Sequence, residues 1–296
     1  MEFIKAKTIL SKIKYGNQWY GIDYNMNLYR GCSHGCIYCD SRSNCYHIEN
    51  FDTVKGKDKA LEILEEELIR KRDKGIIGIG AMSDTYNPQE IKYELTRGAL
   101  KLISKYNYGV SIDTKSDLII RDIDLLKEIN KKNNVIIKFT ITTPRDEIAK
   151  IIEPHVCTSS KRLEAIKKLS ENGIFTGIMM NPTLPFITDS EEDIKRLVKL
   201  AHENGAKFIH TYMGMTLREN QRDYYFKQLD KNFKGLKEKY IKYYGNKYNC
   251  ATPKCKELYK IFKEECDRYG ILYNMKDIIK AYKKEIPEDE QMTLFI

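Results

Sequence analysis

From residue 76 onward the chain alternates short β-branched runs with stretches whose apolar residues recur every three or four positions. The runs predict strands at Ile76–Ala81, Tyr108–Asp113, Val135–Ile141, Ile174–Met180 and Lys207–Met213. The helical periodicity predicts helices at Lys57–Lys74, Glu90–Tyr106, Arg121–Lys132, Ser160–Asn172 and Ser190–Asn204, since one face of a helix repeats with a period of 3.6. In the first helix Leu61, Leu64 and Leu68 share a face, and Gly75 follows as the expected C-cap. Asp189 or Ser190 is placed to cap the last helix, with Glu191, Glu192 and Asp193 in its first turn, where negative charge meets the helix dipole.

The strand starts recur about every 30 residues, the length of a βα unit, which predicts a parallel sheet with crossover helices. A short segment, Asn27–Arg30, adds a sixth strand ahead of a cysteine-rich loop. A closed eight-stranded barrel takes about 250 residues, more than this stretch spends. The expected fold is therefore α/β, a partial (β/α)6 barrel with a C-terminal helical extension, and a doubly wound sheet is the competing arrangement. The expected division is an N-terminal extension (1–26), a core (27–215), a helical region (216–284) and a flexible tail (285–296). In a barrel, binding groups gather at the C-terminal ends of the strands.

Composition narrows the class. With 42% hydrophobic and 31% charged residues over 296 positions, the chain is neither disordered nor membrane-spanning, as no apolar run approaches ~18 residues. Met1–Lys14 lacks the apolar stretch of a signal peptide, so a cytoplasmic protein without membrane contact is expected. Lys and Arg (51) exceed Asp and Glu (42) by nine. That balance suits a polyanionic partner such as DNA, although a solvated lysine-rich surface gives the same count. There are eight cysteines, and in a reducing compartment clustered cysteines point to metal or catalysis rather than disulfides.

Residues 30–40 read Arg-Gly-Cys-Ser-His-Gly-Cys-Ile-Tyr-Cys-Asp, so Cys32, Cys36 and Cys39 stand in C-x3-C-x2-C spacing. Three thiolates ligate three corners of an iron–sulfur cubane and leave the fourth iron open, whereas ordinary ferredoxin clusters take four cysteines. The two glycines allow the tight turns such a loop needs. A structural zinc site is the other reading, with Cys45, His34 or His47 as the fourth ligand.

The loop resembles that of the radical S-adenosylmethionine superfamily, whose signature is C-x3-C-x-aromatic-C, and the resemblance extends from about Asn27 to Met213. It implies a [4Fe-4S] cluster on Cys32, Cys36 and Cys39, with S-adenosylmethionine on the open iron and Tyr38 beside the cofactor. It implies reductive cleavage to a 5′-deoxyadenosyl radical that abstracts hydrogen, and an electron donor such as flavodoxin or ferredoxin. The segments Gly80-Ala-Met-Ser-Asp84, Tyr86-Asn-Pro88, Asp113-Thr-Lys-Ser116, Thr140-Ile-Thr142, Glu153-Pro154 and Asn181-Pro-Thr-Leu-Pro185 together resemble the spore photoproduct lyase-related branch. By that resemblance Ser83 and Lys115 contact the methionyl carboxylate, Thr140 or Thr142 hydrogen-bonds the cofactor, Glu153 binds a ribose hydroxyl and Asn181 an edge of the adenine or ribose. Lyase activity and DNA repair come with the branch, with one departure. Where the lyase carries a hydrogen-donating cysteine this chain has Met82, with no cysteine between Cys45 and Cys157.

Tyr86, Tyr212 and Cys157 are the candidates for hydrogen transfer. Cys250, Cys255 and Cys266 read either as a further metal site or as buried helix cysteines. After the acidic stretch Glu285–Glu290 the chain ends Gln291-Met-Thr-Leu294-Phe295-Ile296. This resembles the Gln-x-x-Leu-Phe peptide with which bacterial replication and repair proteins dock on the sliding clamp. It implies that partner through Gln291, Leu294 and Phe295, and a tail folded onto its own domain is the alternative. Three functions follow: a radical enzyme on damaged DNA or another nucleic acid, a radical enzyme on a peptide, tRNA or small molecule, and a non-enzymatic metal-stabilised nucleic-acid-binding module.

Overall fold

The computed structural model describes residues 1–13 and 18–284. Six parallel strands run side by side in chain order: β1 (Tyr24–Met26), β2 (Ile76–Ile79), β3 (Gly109–Thr114), β4 (Val135–Thr140), β5 (Phe175–Met180) and β6 (Phe208–Thr211). A doubly wound sheet reverses its strand order part-way, and this one never does, so the sheet is a partial barrel. Leu10–Lys12 adds a seventh strand, antiparallel to β1. The crossover helices are α1 (Ala60–Arg70), α2 (Leu95–Lys105), α3 (Ile123–Lys132), α4 (Ser159–Glu171) and α5 (Glu191–Glu203).

The first strand differs from expectation. Tyr29–Arg30, the end of the segment expected as a barrel strand, instead pairs with Lys55–Lys57 in a separate three-stranded sheet. Barrel strand β1 is only three residues long, too short for an alternation to stand out. Gly75 is not a C-cap, because α1 ends at Arg70. A Cβ on Gly75 would lie 2.5 Å from Asp23 Oδ2, which accepts a hydrogen bond from Ile76 N at 2.8 Å, so the glycine admits that carboxylate. The helix expected over Glu90–Tyr106 breaks at Glu94, which takes a left-handed φ of 47°. Ser190 caps α5 by accepting from Asp193 N at 3.1 Å.

Alternation along the strands sorts side chains to two faces. Val110, Ile112, Ile137, Phe139, Ile178 and Met180 pack outward under the helices in the main core. Each such side chain stabilises the fold by roughly 1.5–3 kcal/mol when fully buried. The opposite face lines the barrel, where Ile76, Ile136, Met179 and Phe208 meet Tyr20 and Ile22. Helix α9 (Met275–Tyr282) packs against the same group through Ile278 and Tyr282.

Beyond β6 come α6 (Gln221–Asn232), α7 (Leu236–Tyr244) and α8 (Cys255–Tyr269), with an antiparallel strand pair, Gly214–Thr216 and Asn249–Ala251. Helix α8 packs on α5. Among the described residues no helix is long and apolar enough to cross a membrane. Gln291, Leu294 and Phe295 lie outside the described residues.

Candidate cofactor cavity

The cysteine loop leaves the barrel through Gly31 and turns again at Gly35, with φ of 77° and 69°. A Cβ on Gly31 would lie 2.5 Å from the Thr53 carbonyl oxygen, so no other residue fits without displacing backbone. Cys32 N donates to Phe51 O at 2.8 Å, Ile37 N to Ile152 O at 2.9 Å and His155 N to His34 O at 3.2 Å. These bonds pin the loop over the C-terminal ends of the strands.

Cys32, Cys36 and Cys39 line one cavity together with Gly80, Met82, Ser83, Asp113, Thr114, Lys115 and Thr140. Burial pushes the Cys36 and Cys39 thiols up. At Cys32 burial is outweighed by a hydrogen bond and positive charge from His34, and the thiol falls below its usual range. Lys115 also loses hydration, yet Cys36, Glu153, Asp84 and Cys39 hold its ammonium above the usual lysine value. Ser83 donates its hydroxyl proton to Gly31 O, which ties the end of β2 to the cysteine loop. Among the described residues no three His, Cys, Asp or Glu side chains converge as a single bound ion requires.

Three side chains organise this cavity in roles the sequence did not indicate, although His34 stood there as a possible zinc ligand. Asp84 accepts from Thr114 Oγ1 at 2.8 Å, Lys115 N at 2.7 Å and Tyr86 N at 2.9 Å. It lies 3.6 Å from His34 Nδ1, both side chains buried. Asp113 sits beside it at the end of β3 and pairs with Lys138 at 3.1 Å. The signal for Asp84 and Asp113 was their place at strand ends; for His34 it was its place inside the cysteine loop.

The other expected cofactor contacts fall differently. Glu153 is a correction: it is 1% exposed and locked under the loop, not free for a ribose hydroxyl. Tyr38 donates to its Oε1, and Arg162 Nη2 lies 2.6 Å from its Oε2, close but off the hydrogen-bond direction. Tyr38 is thereby turned into the protein by its hydroxyl and does not line the cavity. Thr142 is buried with its hydroxyl unpartnered, and Asn181 precedes a cis peptide at Pro182. Neither lines the cavity.

Tyr86 and Cys157 meet in a second cavity, which shares only His34 with the first. Cys157 Sγ donates to Lys115 O at 3.2 Å. Tyr212 is 41% exposed and lines neither. Cys250 is buried beside Met215 and Leu217, whereas Cys266 is buried in the main core near Phe262. Those two lie in separate apolar clusters.

Against known proteins, the family model described as the radical SAM superfamily matches residues 26–198. An uncharacterised protein of Methanocaldococcus jannaschii is 36% identical over 188 residues, 64% of this chain and 69% of the relative. An uncharacterised protein of Mycobacterium tuberculosis is 28% identical over 228 residues, 75% of this chain and 67% of the relative. Among solved structures, spore photoproduct lyase complexed with dinucleoside spore photoproduct superimposes with a TM-score of 0.68 at 16% identity, over 91% of this chain and 80% of that one. The residues fit the superfamily's cofactors, for three thiols face a cavity that also presents an ammonium and four hydroxyl side chains. The chain belongs to the radical S-adenosylmethionine superfamily, enzymes that work with a [4Fe-4S] cluster and S-adenosylmethionine.

Proposed function

We propose that this enzyme abstracts hydrogen from a nucleic-acid strand held across the mouth of the barrel. The observation that carries this reading is the basic hairpin α6–α7. Residues 221–250 hold eight Lys and Arg against three Asp and Glu, a surplus of five out of the chain's nine. Lys227, Lys231, Lys234, Lys239, Lys242 and Lys247 are exposed. The hairpin is docked beside the cavity: Gln221 Nε2 donates to Tyr38 O at 2.9 Å, and Tyr240 Oη to Pro185 O at 2.8 Å. Phosphates attract such a surface without regard to sequence. The structural likeness to an enzyme complexed with a dinucleoside photoproduct adds support.

Cys32, Cys36 and Cys39 would hold the cluster, and Lys115, Ser83 and Thr140 the amino-acid end of S-adenosylmethionine. When bound, these groups supply a carbon-centred radical, and the protein's part is position and exclusion of water. Met82 lines the cavity, and a thioether has no S–H to give. The proposed reaction therefore differs from that of the lyase, whose resemblance places a donor cysteine there.

The test is isotope transfer. Anaerobic, reduced enzyme with S-adenosylmethionine and uniformly deuterated strands of DNA or RNA is expected to put deuterium into 5′-deoxyadenosine. Formation of 5′-deoxyadenosine without deuterium from either strand, whether damaged or intact, overturns the reading.

A further inference from the structure

The cavity that holds the three cysteines is also lined by the chain's one tryptophan. Trp19 is 43% exposed although it lies against the barrel. Its ring meets His210 edge-on (5.2 Å, 87°) and Tyr20 edge-on (5.2 Å, 83°). Tyr20 itself is sealed inside the barrel, donates to Met179 Sδ at 2.8 Å and accepts from Tyr282 at its carbonyl. Its backbone and that of Gly21 are left-handed, with φ of 47° and 59°, which fixes the turn presenting Trp19. The ring is thus held by two aromatic neighbours, remains 43% exposed and lines the cavity.

Next to it lies an ion pair that packing alone does not call for. Lys138 points into the barrel at 1% exposure, with Nζ 3.1 Å from Asp113 Oδ2 and 4.4 Å from the centre of the Tyr20 ring. A lysine so buried carries a desolvation cost that only a close partner offsets. Asp113 is the less buried partner, 25% exposed, and lines the same cavity as Trp19. Lys138 therefore fixes a carboxylate acceptor within the same cavity as a partly exposed aromatic ring.

We propose that Trp19 is a stacking platform for a flat heteroaromatic ring, a nucleobase of the bound strand, and that Asp113 accepts a hydrogen bond from an N–H edge of that base. This rests on the nucleic-acid reading above and assigns the base, as distinct from the phosphates, to its own site. Base stacking on an aromatic side chain tolerates any base because every base has a π-face. The carboxylate adds a preference for rings that carry a donor.

The test uses the anaerobic holoenzyme and fluorescence anisotropy of labelled single strands. Trp19→Ala is expected to weaken binding of a thymidine strand by about tenfold and to leave binding of an abasic strand of equal length unchanged. Trp19→Phe is expected to retain most of the affinity. In the wild-type enzyme, methylating N3 of every thymine removes the N–H and is expected to weaken binding. Equal losses on the two strands, or none on either, overturn the platform while the nucleic-acid reading stands. Indifference to N3-methylation overturns the role of Asp113. If the wild-type enzyme binds neither strand, the nucleic-acid reading itself fails.

Discussion

Arg162→Met strikes the support beneath the cysteine loop. Arg162 is fully buried on α4. It donates to Thr140 O at 2.8 Å and to Cys157 O at 3.0 and 2.7 Å, and it faces Glu153 at 2.6 Å. Glu153 in turn receives the Tyr38 hydroxyl, one residue before Cys39. The substitution keeps much of the side-chain length but strands a buried carboxylate and two carbonyls. Breaking a buried pair from one side costs about 3–5 kcal/mol. At roughly 2–4 °C per kcal/mol for a chain of this size class, the melting temperature is expected to fall by about 6–20 °C. Circular dichroism melts of anaerobic wild-type and variant proteins, with iron measured on the same samples, check this. Iron per chain is expected to fall too, since the loop loses its anchor. The double variant Arg162→Met, Glu153→Leu is expected to recover part of the lost stability, because no unpaired charge remains. A shift below about 2 °C in the single variant would refute the reasoning.

Lys115→Ala is expected to weaken S-adenosylmethionine binding about ten- to a hundredfold, the worth of a charge-assisted hydrogen bond, while iron content stays unchanged; calorimetry and iron analysis read the two. Gly80→Ala is expected to destabilise the protein by more than the roughly 1–3 kcal/mol of backbone strain alone, because φ is 101° and the new Cβ would lie 2.1 Å from Asp113 O; a thermal melt checks it. The resemblance of the tail to a clamp-binding peptide is checked by calorimetry with the purified sliding clamp of the same organism: if the intact protein binds, replacing Leu294 and Phe295 with Ala is expected to abolish that binding and leave cluster content intact, because small interfaces concentrate affinity in a few apolar side chains.

The five strands from β2 to β6 were legible because each is a run of apolar or β-branched residues long enough to stand out, and each is covered by a periodic helix. Strand β1 was not, because Tyr24-Asn25-Met26 carries only one alternation, and its identity comes from pairing with β2. In the site, Cys32, Cys36, Cys39, Ser83 and Lys115 were readable from local spacing or place at strand ends, and they share one cavity. Glu153 misled because its partners are Tyr38, 115 residues away, and Arg162; a carboxylate's burial is not written beside it. Trp19 was overlooked for the same kind of reason. It precedes the first barrel strand, and only the turn of Tyr20 into the barrel brings it to the cavity.

The central claim, that Cys32, Cys36 and Cys39 hold the cluster that activates S-adenosylmethionine, is met most directly by metal analysis of anaerobically prepared protein and its three Cys→Ala variants. About four irons per chain are expected in the wild-type protein, with an electron paramagnetic resonance signal of the reduced cluster that changes when S-adenosylmethionine is added. Each single variant is expected to lose both the cluster signal and cofactor cleavage. Stoichiometric zinc with no uptake of iron on reconstitution, or a Cys36→Ala protein that keeps its full iron and still cleaves the cofactor, would contradict the account.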